Sequence, residues 1–492
     1  MASSRNSELL RNWIKNAESL NELIRVNEEV DWDEELCAIT YMVGKNINGP
    51  TLLFEKIKDY DKSYSIITNM PGASVDRVAI GLGLPTGLSM TEIINIVKDK
   101  YKHRIEPIEI DNQEAPINEN VLYDEDVDLY QFPAPKTFPL DGGRYLGTCD
   151  ALITRNLETG NINVGTYRNM VLSKNQLGFY VSPGKDALLH REQSWKKGEP
   201  CEVAIAFGID PLLYFVASQS FPKNVSEYEF AGGILGEPYP VTKGYVVDLP
   251  IPAYAEIVVE GLSYPNETLP EGPFSEFPGY YGRPEESTPY VQVKCVHYRD
   301  NPILSTAVMS DHNSGCATMM SIARSARIWD DLEKLGVPGI VGVCSHTYAI
   351  FGLVVVSMEQ RFAGHASQVL ALASQCTGGA YYTKWIVVVD EDIDPTNIHE
   401  VIWAMSTRCN PVEDLDFLRK TWSTYLDPTI NPAEERPYGM SKCLINACKE
   451  YKYINTFAKR GRIRKEVYDR IVGKWNKLNL PNDPPIIITF EK

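Results

Sequence analysis

Two glutamates, Glu271 and Glu276, stand in the Gly/Pro-rich segment Pro270-Glu-Gly-Pro-Phe-Ser-Glu-Phe-Pro-Gly-Tyr-Tyr281. Paired carboxylates whose surroundings separate their pKa values are the raw material of general acid/base chemistry, and prolines on both sides stiffen such a loop. Upstream, Asn163-Val-Gly-Thr-Tyr-Arg168 ends on an arginine. An arginine at a strand end beside a glycine can clamp a carboxylate through its planar fork. A third cluster, Ser226-Glu-Tyr-Glu-Phe-Ala-Gly-Gly233, places two acids and two aromatics before a diglycine. Each cluster alone also suits an ordinary surface strand or turn. No Walker A loop, no G-x-G-x-x-G opening a helix, no G-x-S-x-G elbow and no H-E-x-x-H is present, so the common hydrolase and nucleotide motifs supply no chemistry.

Something must hold these clusters in place. Residues 1–110 mix helical and strand-like patterns, and Ser89-Met-Thr-Glu92 reads as a capping box opening an amphipathic stretch to Tyr101. A Pro- and Asp-rich connector follows, Asp124-Glu-Asp-Val-Asp128 and Phe132-Pro-Ala-Pro-Lys136, as at a domain boundary. From about 145 to 310 the pattern is mainly β, with strands expected at Ala151–Arg155, Glu202–Phe207, Tyr245–Leu249, Glu256–Glu260 and Tyr290–His297. Asn163 and Arg168 are an odd number of residues apart. A regular strand would send them to opposite faces, so one site can use both only through a strand end or a bulge, with Gly165 the candidate. A helix is expected over Met319–Leu335, then buried strands at Gly339–Val343, Ala349–Val356 and Trp385–Val389, the rhythm of an α/β domain. Lys449–Leu480 reads as a basic amphipathic tail of one or two helices. The fold class expected is a multidomain α/β (α+β) protein. Its parts are an N-terminal α/β domain (1–115), a strand-dense central domain that reads as a barrel or a sandwich (116–312), a C-terminal α/β domain (313–448) and a helical tail (449–492) that reads as a docking or oligomerisation arm.

The chain has 492 residues, with 48 Lys+Arg against 65 Asp+Glu and a formal charge of −17. That balance argues against nucleic acids and anionic membrane surfaces as partners, since both are polyanions. No apolar run approaches membrane-span length. The first residues lack the basic-then-apolar layout of a signal peptide, and ten cysteines without a C-x-x-C pair suit a reducing compartment. The expectation is a cytoplasmic protein.

Taken in order, Arg168, Glu271 and Glu276 with Glu-Gly-Pro-Phe-x-Glu resemble the Arg-Glu-Glu signature of the UbiD family, the prenylated-FMN-dependent reversible decarboxylases. Supporting pieces are Asp141-Gly-Gly-Arg-Tyr145, Ala206-Phe-Gly-Ile-Asp-Pro211, Ser226-Glu-Tyr228 and Lys384 ahead of Asp390-Glu-Asp-Ile-Asp394. Within the family the chain looks most like hydroxybenzoate and protocatechuate decarboxylases. The resemblance implies a flavin-reductase type of split barrel and a carboxy-lyase acting on a hydroxylated aromatic acid. Arg168 would bind the substrate carboxylate, Glu271 would orient it and Glu276 would carry the proton that replaces CO2. It also implies a cofactor phosphate held through Mn2+, with K+ nearby. Metal ligands would be Asn163, Glu227 and a residue that is normally His but is Asp186 here, with His190 the alternative; Ser218 and Lys384 would attend the phosphate. His312 is the candidate for contact with a phenolic substrate. A dimer or hexamer, and a flavin prenyltransferase as cofactor supplier, complete the implied picture. Two other readings stay open: decarboxylation of another unsaturated, heteroaromatic or quinone-precursor acid, and a cofactor-binding subunit without activity.

Overall fold

Leu10, Trp13, Ile14 and Ala17 recur at helical spacing, and the helix Leu9–Ser19 buries all four. The computed structural model describes residues 9–46, 49–219, 221–222, 224–309, 315–349, 351–424, 426–430, 439–480, 483–485 and 490. The first helix adjoins a four-stranded sheet in the order Leu23–Val26, Thr51–Phe54, Ser65–Thr68, Ile303–Thr306. The last of these strands arrives after the whole central region and pairs in parallel with Ser65–Thr68. The capping box forms as expected: Glu92 N–H donates to Ser89 Oγ at 3.3 Å, and Ser89 N–H donates to the Glu92 carboxylate at 2.8 Å. It opens the helix Met90–Lys100.

A ten-stranded, curled antiparallel sheet forms the centre. Its spatial order is Tyr145–Gly147, Asn169–Ser173, Gln176–Gly178, Glu286–Tyr298, Ile257–Ser263, Cys201–Phe207, Asp150–Arg155, Ile162–Gly165. Strands Asn120–Tyr123 and Thr268–Glu271 also pair with the long strand Glu286–Tyr298. Alternation along Cys201–Phe207 feeds two cores. Ala204 and Ala206 face the one containing helix Pro211–Ala217, while Val203, Ile205 and Phe207 face the other.

Four of the five expected central strands are present with shifted ends, but Tyr245–Leu249 is a bend and not a strand. The reason is a tertiary partner: the N–H groups of Tyr245, Val246 and Val247 all donate to the Glu260 carboxylate, which takes them out of any ladder. Within the connector, Phe132 and Ala134 are buried in the core.

Helix Ala317–Lys334 begins the C-terminal part, which carries a five-stranded sheet ordered Ile340–Ser345, Leu353–Met358, Trp385–Asp390, Met440–Ala447, Leu415–Thr421. The three middle strands are parallel and the two edges antiparallel. The tail is less helical than its pattern suggests. Only Lys465–Val472 is α-helical, flanked by short turns at Tyr451–Tyr453 and Trp475–Leu478. Arg462 reaches Asp392 Oδ2 at 2.6 Å, and Arg460 reaches the Asp392 carbonyl at 3.1 Å. These charge-assisted contacts hold the preceding residues extended against the domain.

Candidate active site

The chain delivers Arg168 to its position by ending a strand. Asn163 lies within Ile162–Gly165, paired with Thr154. Thr166, Tyr167 and Arg168 then run irregularly until the next strand starts at Asn169. Thr166 N–H donates to the Ala217 carbonyl at 3.2 Å, and Tyr167 N–H donates to Asp150 Oδ2 at 3.3 Å. Arg168 is therefore free of the alternation that governs Asn163, and the strand end, not a bulge, resolves the odd spacing.

One guanidinium meets two carboxylates. Arg168 Nε donates to Glu271 Oε1 at 3.0 Å and Nη2 to Glu271 Oε2 at 2.7 Å, while Nη1 donates to Glu276 Oε1. Arg168 is only 9% exposed and Glu271 only 2%. Burial alone would pull the arginine's pKa down, but Glu276 and Glu271 more than reverse this and hold it charged. Glu276 differs: burial raises its pKa, and the Arg168 charge offsets that only in part. The two acids are thus unlike by environment, one doubly bonded to the cation and the other singly bonded, with its pKa raised by burial.

The loop between them is built by the Asp141–Tyr145 segment. Asp141 Oδ1 accepts the Ser275 N–H at 3.0 Å, Gly142 N–H donates to the Pro273 carbonyl at 2.8 Å, and the Tyr145 hydroxyl donates to Glu271 Oε1 at 3.3 Å. Gly272 has φ +87°, a left-handed conformation that favours glycine. A Cβ at Gly142 would lie 1.9 Å from the Gly272 carbonyl oxygen, so the two backbones meet only because that side chain is missing. Aromatic groups close the rest. The Arg168 guanidinium lies 4.7 Å from the Tyr180 ring centre and 5.6 Å from that of Phe274. Phe277, next to Glu276, meets Tyr382 edge-on at 5.1 Å, so the C-terminal domain covers the loop.

Asn163, Glu227 and Asp186 converge beside this centre. Val164 N–H donates to Glu227 Oε2 at 2.7 Å. The Tyr167 hydroxyl is buried among Glu227, Asp186, the Asn163 side chain and the Ala187 N–H. Burial pushes the Glu227 carboxyl up to about 8, and the Asp186 charge adds to the shift. An amide oxygen with two carboxylates, one of them this unfavourably buried, is a hard-oxygen donor set that fits a divalent cation and, through it, a phosphate. Asp186 opens the helix Asp186–Lys196. His190, the other candidate, lies one turn deeper with Nδ1 3.0 Å from Thr154 Oγ1.

Two candidate phosphate contacts already have partners. Ser218 Oγ donates to the Phe215 carbonyl at 2.9 Å and accepts from Gln219 Nε2 at 2.8 Å. Lys384 Nζ is ion-paired with Asp427 Oδ1 at 2.6 Å and donates to Thr429 Oγ1 at 3.2 Å. His312 lies outside the described residues. Sequence reasoning overlooked Tyr180, whose buried hydroxyl has no hydrogen-bond partner among the described residues. It overlooked the hydroxyl of Tyr145 as well, although the Asp-Gly-Gly-Arg-Tyr motif carrying it was in view.

Three family models match in succession: the 3-octaprenyl-4-hydroxybenzoate carboxy-lyase N-terminal domain over 14–97, the Rift-related domain over 108–312 and the C-terminal domain over 317–447. The chain is 33% identical over 433 residues to a phenolic acid decarboxylase of Bacillus subtilis, covering 86% of this chain and 89% of that one. It is 31% identical over 450 residues to one of Sedimentibacter hydroxybenzoicus, covering 89% and 91%. The closed form of the vanillic acid decarboxylase of Sedimentibacter hydroxybenzoicus superposes with a TM-score of 0.84 at 28% identity, over 96% of this chain and 99% of that one. An evolved dimeric UbiD-class enzyme of Pelotomaculum thermopropionicum, solved in complex with prFMN, gives 0.80 at 26%, over 92% and 97%. With all three domains matched in order and curated relatives similar over most of their length, the chain belongs to the UbiD family of carboxy-lyases.

Proposed function

We propose that this protein is a reversible, non-oxidative decarboxylase of hydroxylated aromatic acids that uses prenylated FMN, with Arg168, Glu271 and Glu276 as its working residues. The observation that carries the reading is the single buried guanidinium shared by two carboxylates of unlike environment. The phenolic acid decarboxylases among its relatives support the substrate class. Removing CO2 from an arene leaves electrons on carbon, and the prenylated flavin, when bound, supplies the sink for them.

The protein does the rest. Arg168 binds the substrate carboxylate by giving up part of its hold on the glutamates, while Glu271, fixed by Tyr145, keeps the guanidinium oriented. Glu276 donates a proton to the carbon that loses CO2; a pKa raised by burial suits this role, because it favours the proton-bearing form. The same step in reverse removes a proton from carbon, so carboxylation at high bicarbonate belongs to the proposal. The Tyr180 hydroxyl offers a polar contact to a ring substituent, and Phe277 with Tyr382 keeps water out. Asn163, Glu227 and Asp186 would hold Mn2+ against the cofactor phosphate, with K+ close by. A cytoplasmic homo-oligomer, served by a flavin prenyltransferase, completes the proposal.

The test is Glu276→Gln in protein coexpressed with a flavin prenyltransferase. Turnover and solvent-deuterium incorporation into product should vanish, while the absorption of bound flavin persists. Normal turnover in that variant would remove Glu276 from the chemistry.

A further inference from the structure

A second constellation lies on the same long strand, far from Arg168. Glu260, Cys295 and His297 are buried together with their ligand atoms within 4.8 Å of one another, the one such trio of His, Cys, Asp or Glu among the described residues. Cys295 and His297 are two positions apart on Glu286–Tyr298 and so share a face. Glu260 on Ile257–Ser263 is the direct cross-strand partner of Cys295. His297 Nε2 lies 2.6 Å from Glu260 Oε1 and 3.3 Å from Cys295 Sγ. Glu271 pairs with Glu286 at the opposite end of this strand, about 30 Å away at the usual strand rise.

The proton on the imidazole can be placed from its neighbours. Asn118 Nδ2 donates to the Asn112 carbonyl at 2.9 Å, which fixes the amide orientation. The atom facing His297 Nδ1 at 2.7 Å is therefore the Asn118 Oδ1 acceptor, and Nδ1 carries the hydrogen. Nε2 then faces a carboxylate oxygen and a sulfur, both electron-rich. So close an approach requires a cation between them, either a second proton or a metal ion. An imidazole whose Nδ1–H donates to a carbonyl oxygen is oriented to present Nε2 as a metal ligand. Three backbone N–H groups, from Tyr245 at 2.8 Å, Val246 at 2.7 Å and Val247 at 2.9 Å, orient the Glu260 carboxylate in turn.

We propose that Glu260, Cys295 and His297 bind Zn2+, with water as the fourth ligand, at a site independent of the decarboxylation centre. One thiolate, one imidazole and one carboxylate make the borderline-soft mixture that zinc accepts and manganese does not favour. Tetrahedral zinc with its usual bond lengths separates ligand atoms by about 3.3–3.6 Å. The sulfur–nitrogen spacing already meets this, and Glu260 Oε1 has to withdraw by about 0.7 Å. Binding expels the Cys295 thiol proton and the proton between His297 and Glu260 to solvent. The bend at 244–247 roofs the cluster. Its Tyr245 ring stands 4.8 Å from the His297 ring and is 41% exposed.

Chelator-treated full-length protein titrated with Co2+ tests this directly. About one equivalent should produce a thiolate-to-cobalt charge-transfer band in the near ultraviolet, which Zn2+ abolishes by displacement. An all-oxygen site at Asn163, Asp186 and Glu227 cannot give that band. Cys295→Ser should remove it and Cys37→Ser should not. Absence of the band in the unaltered protein, or its survival in Cys295→Ser, overturns the proposal. X-ray absorption on the zinc-loaded unaltered protein needs no variant: it should show one sulfur at about 2.3 Å and three nitrogen or oxygen atoms at about 2.0 Å. A shell without sulfur, or with two or more, also overturns it.

Discussion

Replacing Arg168 with Met leaves a side chain of similar length and removes the cation that Glu271 and Glu276 share. In the unaltered protein three charge-assisted hydrogen bonds bind that cation, two to Glu271 and one to Glu276. Breaking a buried pair from one side strands the remaining charge, at a cost of about 3–5 kcal/mol. The pH dependence separates this from a simple packing defect. Glu276 has a folded-state pKa raised above its unfolded value. Its contribution is therefore fully present below the unfolded value and is lost as pH rises through the folded one. Without Arg168 the folded value climbs further, so the loss deepens toward neutral and alkaline pH. Urea unfolding followed by tryptophan fluorescence should show Arg168→Met less stable than the parent by about 3–5 kcal/mol at about pH 8. As pH falls through the Glu276 folded-state value the gap should shrink, as the protonated acid no longer needs a counter-charge. A gap that is constant with pH, or that widens in acid, would refute the account of Arg168 as the charge that makes two buried acids tolerable.

Gly142→Ala should lower kcat by roughly 100-fold, because the new methyl collides with the Gly272 backbone and shifts the Glu271 loop by about 1 Å. Gly143→Ala meets only the flexible Met170 side chain and serves as the control, with near-parental rates expected. Tyr180→Phe should raise KM about tenfold for a hydroxybenzoate relative to the unhydroxylated acid, the worth of one lost hydrogen bond, as read by steady-state kinetics on both substrates. Asp186→Asn should weaken Mn2+ binding roughly 10–100-fold in a calorimetric titration. His190→Gln should leave it unchanged, and the opposite ranking would make His190 the ligand.

How much of this site can be read from residues alone follows from what fixes each one. Glu271 and Glu276 are legible because they sit in one Pro-stiffened loop, where local sequence determines geometry. The capping box at Ser89 is legible for the same reason. Tyr180 is not, since its place over Arg168 depends on the register of the hairpin Asn169–Ser173 and Gln176–Gly178, which an irregularity between Gln176 and Leu177 shifts. The Tyr245–Leu249 segment has the composition of a strand, but a carboxylate from Glu260 claims its N–H groups. A tertiary partner overrides the local pattern there. In the tail, arginines drawn to Asp392 similarly replace helix with extended chain. Misreadings arise where a charged group from a distant segment captures backbone or side chain.

The same physics bears on the charge of −17. An acidic protein that takes anionic ligands must place cations where the ligands bind, and a buried cation is tolerable only with anions around it. Arg168 answers this with two glutamates, so under the proposed function a substrate carboxylate would compete for a guanidinium already engaged. Glu276 makes that exchange feasible. Burial raises its pKa while the Arg168 charge lowers it, so under the proposed function a substrate carboxylate that draws Arg168 away would favour uptake of a proton from solvent by Glu276. The group released from the arginine would then be neutral, proton-bearing and beside the substrate, as proton delivery to carbon requires. In the proposed mechanism substrate binding and arming of the acid would be one electrostatic event, which would account for both glutamates converging on a single arginine.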